Sequence, residues 1–249
     1  MILLRSTIYF ASLIVNTVIF SLLIITVGLL LPYERRCRLA NAWGMVNLWL
    51  LSAICGLNYK IKGLENIPAK GCIILSKHQS AWETMALRGI LPPQQAWVLK
   101  RELLWVPFFG WALMAVQAIG IDRKAGRAAM NQIIESGRRH LEKGHYVVIF
   151  PEGTRVAPGE RGHYGAGGAI LAHHTKYPVI PIAHNAGVFW RRRDLKKYPG
   201  TIEVVIGPPI DTEGLKSSEI NRKVEEWIES TMDTLPQALP QPSKKGTRK

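Results

Sequence analysis

Residues 8–31 carry no charged side chain and are rich in Ile, Leu, Val and Phe. At about 1.5 Å per residue, a helix of this length reaches roughly 36 Å, enough to cross a hydrocarbon core of about 30 Å. A cleaved signal peptide is the alternative, but its hydrophobic core would run to only about 7–15 residues. The segment that follows, Glu-Arg-Arg-Cys-Arg at 34–38, is not a small-residue cleavage site. The run therefore predicts a retained membrane helix.

The charges that flank this helix predict its orientation. Arg5 precedes the helix, whereas Arg35, Arg36 and Arg38 follow it. Positive residues favour the cytoplasmic side of a membrane. We therefore expect a protein of the cytoplasmic (inner) membrane whose remaining chain faces the cytoplasm.

A second uncharged stretch, residues 39–59, is less apolar and contains Trp43 and Trp49. Because tryptophan favours the head-group level of a bilayer, this stretch could be a second span or a helix in the interface, and a buried helix of a soluble domain is the third alternative. We favour partial immersion. A full second crossing would place the later chain on the opposite side from residues 35–38, with no further span to return it.

The composition describes a folded, basic protein of 249 residues. With 47% hydrophobic and 20% charged residues, the chain is not of the disordered class. Its net charge of +14 favours anionic partners such as phospholipid head groups, phosphorylated substrates or nucleic acid, but no nucleic-acid-binding motif accompanies the charge, so we expect no nucleic acid. The three cysteines have neither disulfide-framework nor zinc spacing, so we expect a reducing compartment and no metal.

From about residue 58, short β-branched runs alternate with amphipathic stretches, a pattern that predicts an α/β domain with a mixed, mostly parallel sheet flanked by helices. The predicted strands are 72–76, 96–100, 118–122, 146–150, 179–184 and 202–206. The predicted helices are 81–91, 103–116, 126–143, 168–176 and 219–235. We therefore divide the chain into N-terminal membrane-anchoring helices (1–57), this α/β domain (58–235) and a basic flexible tail (236–249).

His78 and Glu83 follow the predicted strand 72–76, a place where α/β folds commonly carry chemistry. Ser80 and Glu83 have the S-x-x-E spacing of a capping box, in which the glutamate turns back towards the first residue of the helix. A helix that begins there aims Glu83 at His78. A carboxylate bonded to one ring nitrogen leaves the other free as a general base. A capping box beside an ordinary loop histidine remains the alternative.

A second unusual segment, Phe-Pro-Glu-Gly-Thr-Arg at residues 150–155, follows the predicted strand 146–150. This succession predicts a tight turn that exposes backbone N–H groups, an acceptor and a guanidinium suited to phosphate. The alternative is an ordinary turn with a surface arginine.

In their order and spacing, four blocks of this sequence resemble the glycerolipid acyltransferase family. They are His-Gln-Ser-x-x-Glu at 78–83, Lys-Arg-Glu-Leu at 100–103 with Pro107 and Gly-Trp at 110–111, Phe-Pro-Glu-Gly-Thr-Arg at 150–155, and Val-Ile-Pro-Ile at 179–182. The resemblance covers residues 58–210. Two departures stand out: Glu83 replaces the family's usual aspartate, and Gly-Ala-Gly-Gly at 165–168 replaces a setting that often contains a lysine.

The resemblance implies a membrane-associated enzyme that moves an acyl chain from acyl-CoA or acyl-carrier protein to the free hydroxyl of lysophosphatidic acid. It implies His78 as the base, oriented by Glu83, and an oxyanion bound by N–H groups near Ser80. It also implies that Lys100 and Arg155 bind phosphate and that Glu152 and Gly153, with Thr154 beside them, contact the acceptor. The expected partners are a phospholipid membrane, the lysophospholipid and the acyl donor, and the donor is a co-substrate rather than a bound cofactor.

Several other functions remain open from the sequence. Another lysolipid or glycerol-3-phosphate could be the acceptor. Water could replace the acceptor, which would make the protein a phospholipid hydrolase that uses the same His78. A membrane lipid-binding protein without catalysis would need no histidine at this position.

Overall fold

A computed structural model describes residues 1–239 of the chain. Its eight α-helices and seven strands alternate after an N-terminal helical pair, and four short 3₁₀ segments connect them. The helices are α1 Ile2–Ile25, α2 Tyr33–Cys55, α3 Trp82–Ile90, α4 Phe109–Ala115, α5 Arg127–Glu142, α6 Gly167–Thr175, α7 Ala186–Phe189 and α8 Ser217–Thr234. The strands are β1 Leu57–Lys62, β2 Ile73–Ser76, β3 Gln95–Lys100, β4 Ile119–Ile121, β5 Tyr146–Ile149, β6 Val179–His184 and β7 Gly200–Ile206.

The seven strands form one sheet in the order β1-β7-β6-β2-β5-β3-β4. All neighbouring strands are parallel except β6 and β7, which pair antiparallel. Every residue of β2, β5 and β6 is buried, which explains why these central strands are continuous apolar runs in the sequence. The predicted fold class, an α/β domain with a mixed, mostly parallel sheet and helices on its flanks, is confirmed.

Helices cover both faces of the sheet. Tyr9 of α1, Leu51 of α2 and Leu87 of α3 belong to the core on one face. The core on the other face includes Leu171 of α6 and Val224 of α8. The sheet is therefore covered on both faces, and the N-terminal helices α1 and α2 supply part of one covering layer.

Helix α1 leaves much of its apolar surface uncovered. The segment Ile2–Leu30 has a mean hydropathy of 2.6 and is the one part of residues 1–239 that is long and apolar enough to cross a membrane. Its exposed side chains include Phe10, Ile14 and Val15, with exposed fractions of 44–56%. The remaining surface packs on α2, where the Trp43 ring N–H donates to Thr17 Oγ1 at 3.1 Å.

Helix α2 packs against α1 and α3 and carries both buried and exposed apolar residues. Leu48 and Leu51 are buried in the domain core, whereas Met45 and Trp49 are 45% and 66% exposed. This helix includes most of the second uncharged stretch. Its burial shows that it is in part a helix of the folded domain, and its immersion in lipid stays a prediction.

One predicted helix was wrong, and one strand was not predicted. The helix expected at 103–116 is a 3₁₀ segment, Arg101–Trp105, followed by α4, because Pro107 interrupts the helix and Phe108 has a positive φ of 61°. Strand β1 was missed, because its first residues were included in the uncharged stretch 39–59. Its alternating burial is typical of a strand with one solvated face.

Most of the predicted basic tail, residues 240–249, lies outside the described residues. Its first residues pack on the domain: the Asn185 side chain donates to the Pro236 carbonyl at 3.0 Å, and Leu239 contacts the core. Residues 236–239 therefore belong to the folded part of the chain rather than to a flexible tail.

Candidate active site

The carboxyl ends of β2, β3 and β5 bring the sequence motifs together. Strand β5 pairs in parallel with both β2 and β3, so the segments that follow these strands leave the same edge of the sheet. His78 follows β2, the turn 150–155 follows β5, and Lys100 ends β3. The topology therefore places motifs that are up to 77 residues apart in the sequence at one site.

The predicted pairing of His78 with Glu83 is present. His78 Nδ1 lies 2.8 Å from Glu83 Oε1, and the carboxylate is fully buried. Because a carboxylate only accepts hydrogen bonds, this contact puts the proton on Nδ1 and leaves Nε2 with its lone pair. Among residues 1–239, Nε2 has no hydrogen-bond partner. The ring is thus set up as a base at Nε2.

The environment of Glu83 keeps it ionised. Burial alone would raise the pKa of the Glu83 carboxyl, but His184, His78 and the Ser80 N–H together outweigh that effect and hold the pKa below its ordinary value. Glu83 Oε1 also accepts hydrogen bonds from Gln79 N at 2.8 Å and Ser80 N at 2.7 Å. The His78 ring nitrogen and these two main-chain N–H groups thus all bind one oxygen, which fixes the carboxylate at the Nδ1 edge of the imidazole.

The start of α3 differs from the predicted capping box. The helix begins at Trp82, two residues after Ser80, and Ser80 Oγ accepts from Trp82 N at 3.1 Å rather than from the N–H of Glu83. The reciprocal half of the box is present, since Glu83 accepts from Ser80 N. The N–H groups of Gln79, Ser80 and Trp82 are therefore occupied and are not available to an oxyanion; binding of the oxyanion by another N–H group near Ser80 stays a prediction.

One face of the His78 imidazole stacks on the ring of Phe150. The two ring centroids are 4.1 Å apart and their planes differ by 14°, which is a stacked arrangement. The His78 side chain is 14% exposed and lines a cavity of about 340 Å³. Stacking and the Glu83 contact together restrict the ring to one orientation at the cavity wall.

Glu152 does not face this cavity. Its side chain is fully buried, Oε1 lies 2.7 Å from Lys77 Nζ, and Oε2 accepts from His78 N at 2.7 Å. Burial raises the pKa of Glu152, although Lys77 opposes the shift. The predicted contact between Glu152 and the acceptor does not fit this geometry, because both carboxylate oxygens are turned into the protein. In this structure the Glu152 carboxylate instead accepts a hydrogen bond from the main chain of His78.

The remainder of the turn presents its arginine to the cavity. Gly153 has a φ of +64°, a conformation that favours glycine, and its carbonyl accepts from Arg123. Thr154 is exposed and does not line the cavity, whereas Arg155 does. Of the four turn residues expected to bind substrate, Arg155 is the one whose side chain reaches this space.

The wall of the cavity that His78 lines combines cationic and apolar residues. Its cations are Arg88, Lys100, Arg123 and Arg155; Lys100 also pairs with Glu102 at 3.0 Å, and the buried Arg88 donates to the Gln95 carbonyl at 3.0 Å. The rest of the wall is mainly apolar and comes from helices α1 to α4 and from β3. The wall residues contributed by the helices include Phe20, Ser21, Ile24, Ala40, Trp43, Phe109, Ala112 and Leu113. Such a space suits a ligand with an anionic head and a hydrocarbon chain.

The sequence analysis did not identify four residues in or beside the site. Arg123 had a usable signal, because it follows a predicted strand, 118–122. Lys77, His184 and Glu229 had none, since each contacts a partner distant in the sequence. His184 is fully buried, and its Nε2 contacts the Lys77 carbonyl at 2.8 Å while Nδ1 accepts from Ala186 N.

Comparison with known proteins agrees with the resemblance of the motifs. The acyltransferase family model matches residues 58–185. The chain is 44% identical over 232 residues to the 1-acyl-sn-glycerol-3-phosphate acyltransferase of Pseudomonas aeruginosa, covering 92% of this chain and 90% of that protein. It is 29% identical to the enzyme of the same name from Cocos nucifera, covering 92% and 74% of the two chains.

The fold has a solved counterpart. The crystal structure of the 1-acyl-sn-glycerophosphate (LPA) acyltransferase PlsC from Thermotoga maritima superimposes with a TM-score of 0.78 at 22% identity, over 96% of this chain and 98% of that one. The family model and the Pseudomonas relative each cover more than half of the chain. On its sequence, its sheet and its site, the chain belongs to the acyltransferase family.

Proposed function

We propose that the chain transfers an acyl group from a thioester donor to the free hydroxyl of lysophosphatidic acid, which gives phosphatidic acid. The observation that carries this proposal is the cavity, which combines an oriented imidazole, four cationic residues and a largely apolar wall. Relatives named 1-acyl-sn-glycerol-3-phosphate acyltransferase support the choice of acceptor.

The reaction follows from the orientation of His78. Its Nε2 takes the proton from the acceptor hydroxyl as that oxygen attacks the thioester carbonyl. Glu83 stabilises the imidazolium that forms, because its carboxylate is buried 2.8 Å from Nδ1. The tetrahedral intermediate then collapses with loss of the thiolate, which takes the proton back from Nε2. No acyl-enzyme is needed, and the donor is a co-substrate rather than a bound cofactor.

The cations of the cavity wall support binding of the acceptor phosphate there. Arg123 and Arg155 contribute guanidinium groups to this wall, and Lys100 contributes an ammonium. Guanidinium groups bind phosphate through paired hydrogen bonds, so they fix the direction of the acceptor as well as its charge. In our proposal, the phosphate bound in this way directs the free hydroxyl towards Nε2, and the apolar part of the cavity takes the hydrocarbon chain.

The surface around the cavity supports membrane attachment. The apolar face of α1 continues onto the segment before and within α4, where Trp105 and Trp111 are 66% and 46% exposed. A lysophospholipid is anchored in a leaflet, and extracting it costs about 0.8 kcal/mol per CH₂. An active site held at the interface avoids this cost. The excess of arginines after α1 supports a cytoplasmic location of the domain at the inner membrane.

The proposal is tested with membranes that contain the protein or its His78→Ala variant. Each is given labelled acyl-CoA or acyl-carrier protein together with lysophosphatidic acid, glycerol-3-phosphate, an uncharged monoacylglycerol or no acceptor. We expect phosphatidic acid as the main product, and a loss of about 10²–10⁴-fold in the variant because a general base contributes that much. Free fatty acid without acceptor would instead identify a hydrolase, and equal activity of the two proteins would contradict the assignment of His78.

A further inference from the structure

A buried ionic cluster lies directly behind the loop that carries His78. Lys77 Nζ is 2.7 Å from Glu152 Oε1 and 2.8 Å from Glu229 Oε1. The three side chains are 0–7% exposed. Tyr164 completes the cluster, because its hydroxyl donates to Glu229 Oε1 at 2.7 Å. One ammonium therefore joins two carboxylates that come from the turn after β5 and from α8.

The cluster is unusual because Glu229 brings a charge into a helix face that is otherwise apolar. The other buried residues of α8 are Ile220, Val224, Ile228 and Met232. Glu229 is thus the single charge on an otherwise apolar face, and removal of charges from water is costly even when they are paired. Apolar residues of similar size are often at least as stabilising as a buried ion pair. Stability alone therefore gives no reason for this cluster.

The cluster is connected to the base through the main chain. Glu152 uses Oε1 for Lys77 and Oε2 for His78 N at 2.7 Å. The His78 carbonyl accepts from Val156 N at 2.8 Å, so the turn after β5 holds both sides of this residue. Lys77 is fixed at its other end by the His184 contact to its carbonyl. A displacement of Lys77 would therefore move Glu152 and His78 together.

We propose that Lys77 and Glu229 are positioning residues for the acyl-transfer reaction: Glu229 clamps the Lys77 ammonium, Lys77 holds the Glu152 carboxylate, and Glu152 holds the main chain of His78. The inference rests on the proposed function, since it assigns these residues to the same site. It extends the site to α8, which none of the sequence motifs includes.

The test uses the full-length protein with the variants Lys77→Met, Glu229→Leu and Glu229→Gln. Glutamine keeps an oxygen that accepts from Lys77 and Tyr164, whereas leucine removes it. Glu226→Gln is the matched control, because Glu226 lies on the same helix and pairs with Arg222 in solvent. For each protein we measure kcat, KM for donor and acceptor, and the melting temperature.

We expect Lys77→Met to lower kcat by about 10²-fold at pH 7, because a displacement of about 1 Å at a reacting group has that cost. Both KM values should stay within about threefold, since the residue does not line the cavity. Glu229→Leu should lower kcat by about tenfold, and Glu229→Gln should retain it within about threefold. A cluster that only stabilises the fold would lower the melting temperature in these variants and leave kcat unchanged.

The pH dependence gives a second readout. The charged or titratable groups that face Glu152 are Lys77, His78, Glu229 and Tyr164, with Arg161 reaching Glu229 from the surface at 3.8 Å. Without Lys77, burial of Glu152 is no longer opposed, so its pKa rises and the carboxylate forms only at higher pH. The kcat deficit of Lys77→Met should therefore shrink at least about threefold between pH 7 and pH 9.

If Lys77→Met does not fold, the double variant Lys77→Met/Glu229→Gln takes its place, because it removes one charge of each sign. A kcat within about threefold of the parent, or a deficit that is the same at both pH values, would overturn the inference. These outcomes are distinct from failure of the proposed function, in which the unmodified protein itself would form no phosphatidic acid.

Discussion

One oxygen of Glu83 accepts from the His78 ring and from two main-chain N–H groups. This pattern explains how glutamate can stand where the family usually has aspartate. The α3 helix begins at Trp82, so Glu83 lies in its first turn with its longer side chain directed back to His78. The extra methylene is therefore used for reach, and the orientation of the base is preserved.

Substitution of single residues measures what each arginine of the cavity contributes to binding the acceptor phosphate. Arg155→Ala and Arg123→Ala should each raise KM for lysophosphatidic acid by about tenfold, because a hydrogen bond to a charged group contributes about 1.5–3 kcal/mol. KM for an uncharged monoacylglycerol should stay constant. Initial rates over a range of acceptor concentrations measure both effects. Arg222→Ala, at an exposed position on α8, is the control; an equal rise in KM for both acceptors would remove the arginines from phosphate binding.

The sequence predicts contacts of the site only between residues that lie close together in the chain. His78 and Glu83 are five residues apart, so a capping pattern is enough to predict their contact. The Lys77–Glu229 pair spans 152 residues, and no spacing rule connects a loop to a helix over that distance. Glu152 shows the second difficulty. The family motif identifies it as important, but only the fold shows that its carboxylate points inward to Lys77.

Among the elements, α1 has two surfaces with different expected roles, one as a membrane anchor and one as a wall of the cavity. Its exposed face is apolar enough for a membrane, while Phe20, Ser21 and Ile24 on another face line the cavity. If α1 were only an anchor, apolar substitutions on any of its faces should leave activity unchanged. If it also forms a wall of the binding site, substitutions on the cavity side should lower activity, whereas those on the exposed side should not.

Ser21→Phe tests the second role. Ser21 is 3% exposed and lies in the cavity wall, so the larger ring should displace hydrocarbon and lower kcat/KM with long-chain substrates by about tenfold, since overpacking costs about 1–3 kcal/mol. Shorter donor or acceptor chains should restore activity. Leu22→Phe, on the exposed side, is the control. If the two variants behave alike at every chain length, α1 is not part of the substrate site.

The elements also show which sequence patterns are reliable. Strands β5 and β6 were predicted almost to the residue, because short buried apolar runs have no competing interpretation here. The region 103–116 has helical periodicity, yet Pro107 and the positive φ of Phe108 divide it into two pieces. Strand β1 adjoins α2, and its alternation was obscured by the uncharged run before it.

For the molecule as a whole, both the net charge and the exposed apolar surface favour contact with a lipid bilayer. The net charge of +14 favours anionic lipid, and the exposed face of α1 favours hydrocarbon. These two contributions respond differently to salt. At 1 M the screening length is about 3 Å, so the electrostatic part is largely removed while the apolar part persists.

Vesicle sedimentation distinguishes the two contributions. The protein should bind anionic vesicles more strongly than neutral ones at low salt, and this preference should disappear at about 1 M salt. The protein should nevertheless remain bound to both kinds of vesicle, because salt does not screen the apolar contribution of α1. Complete release by salt would show that α1 does not enter the lipid.

The central claim is that His78 and Glu83 act as one base. The most direct test is kcat/KM for acyl transfer to lysophosphatidic acid in His78→Ala, Glu83→Gln and the double variant. Groups that act as a unit are strongly non-additive, so the double variant should be no slower than His78→Ala, with losses of about 10²–10⁴-fold. If the two losses multiply in the double variant, the residues act independently and the account is wrong.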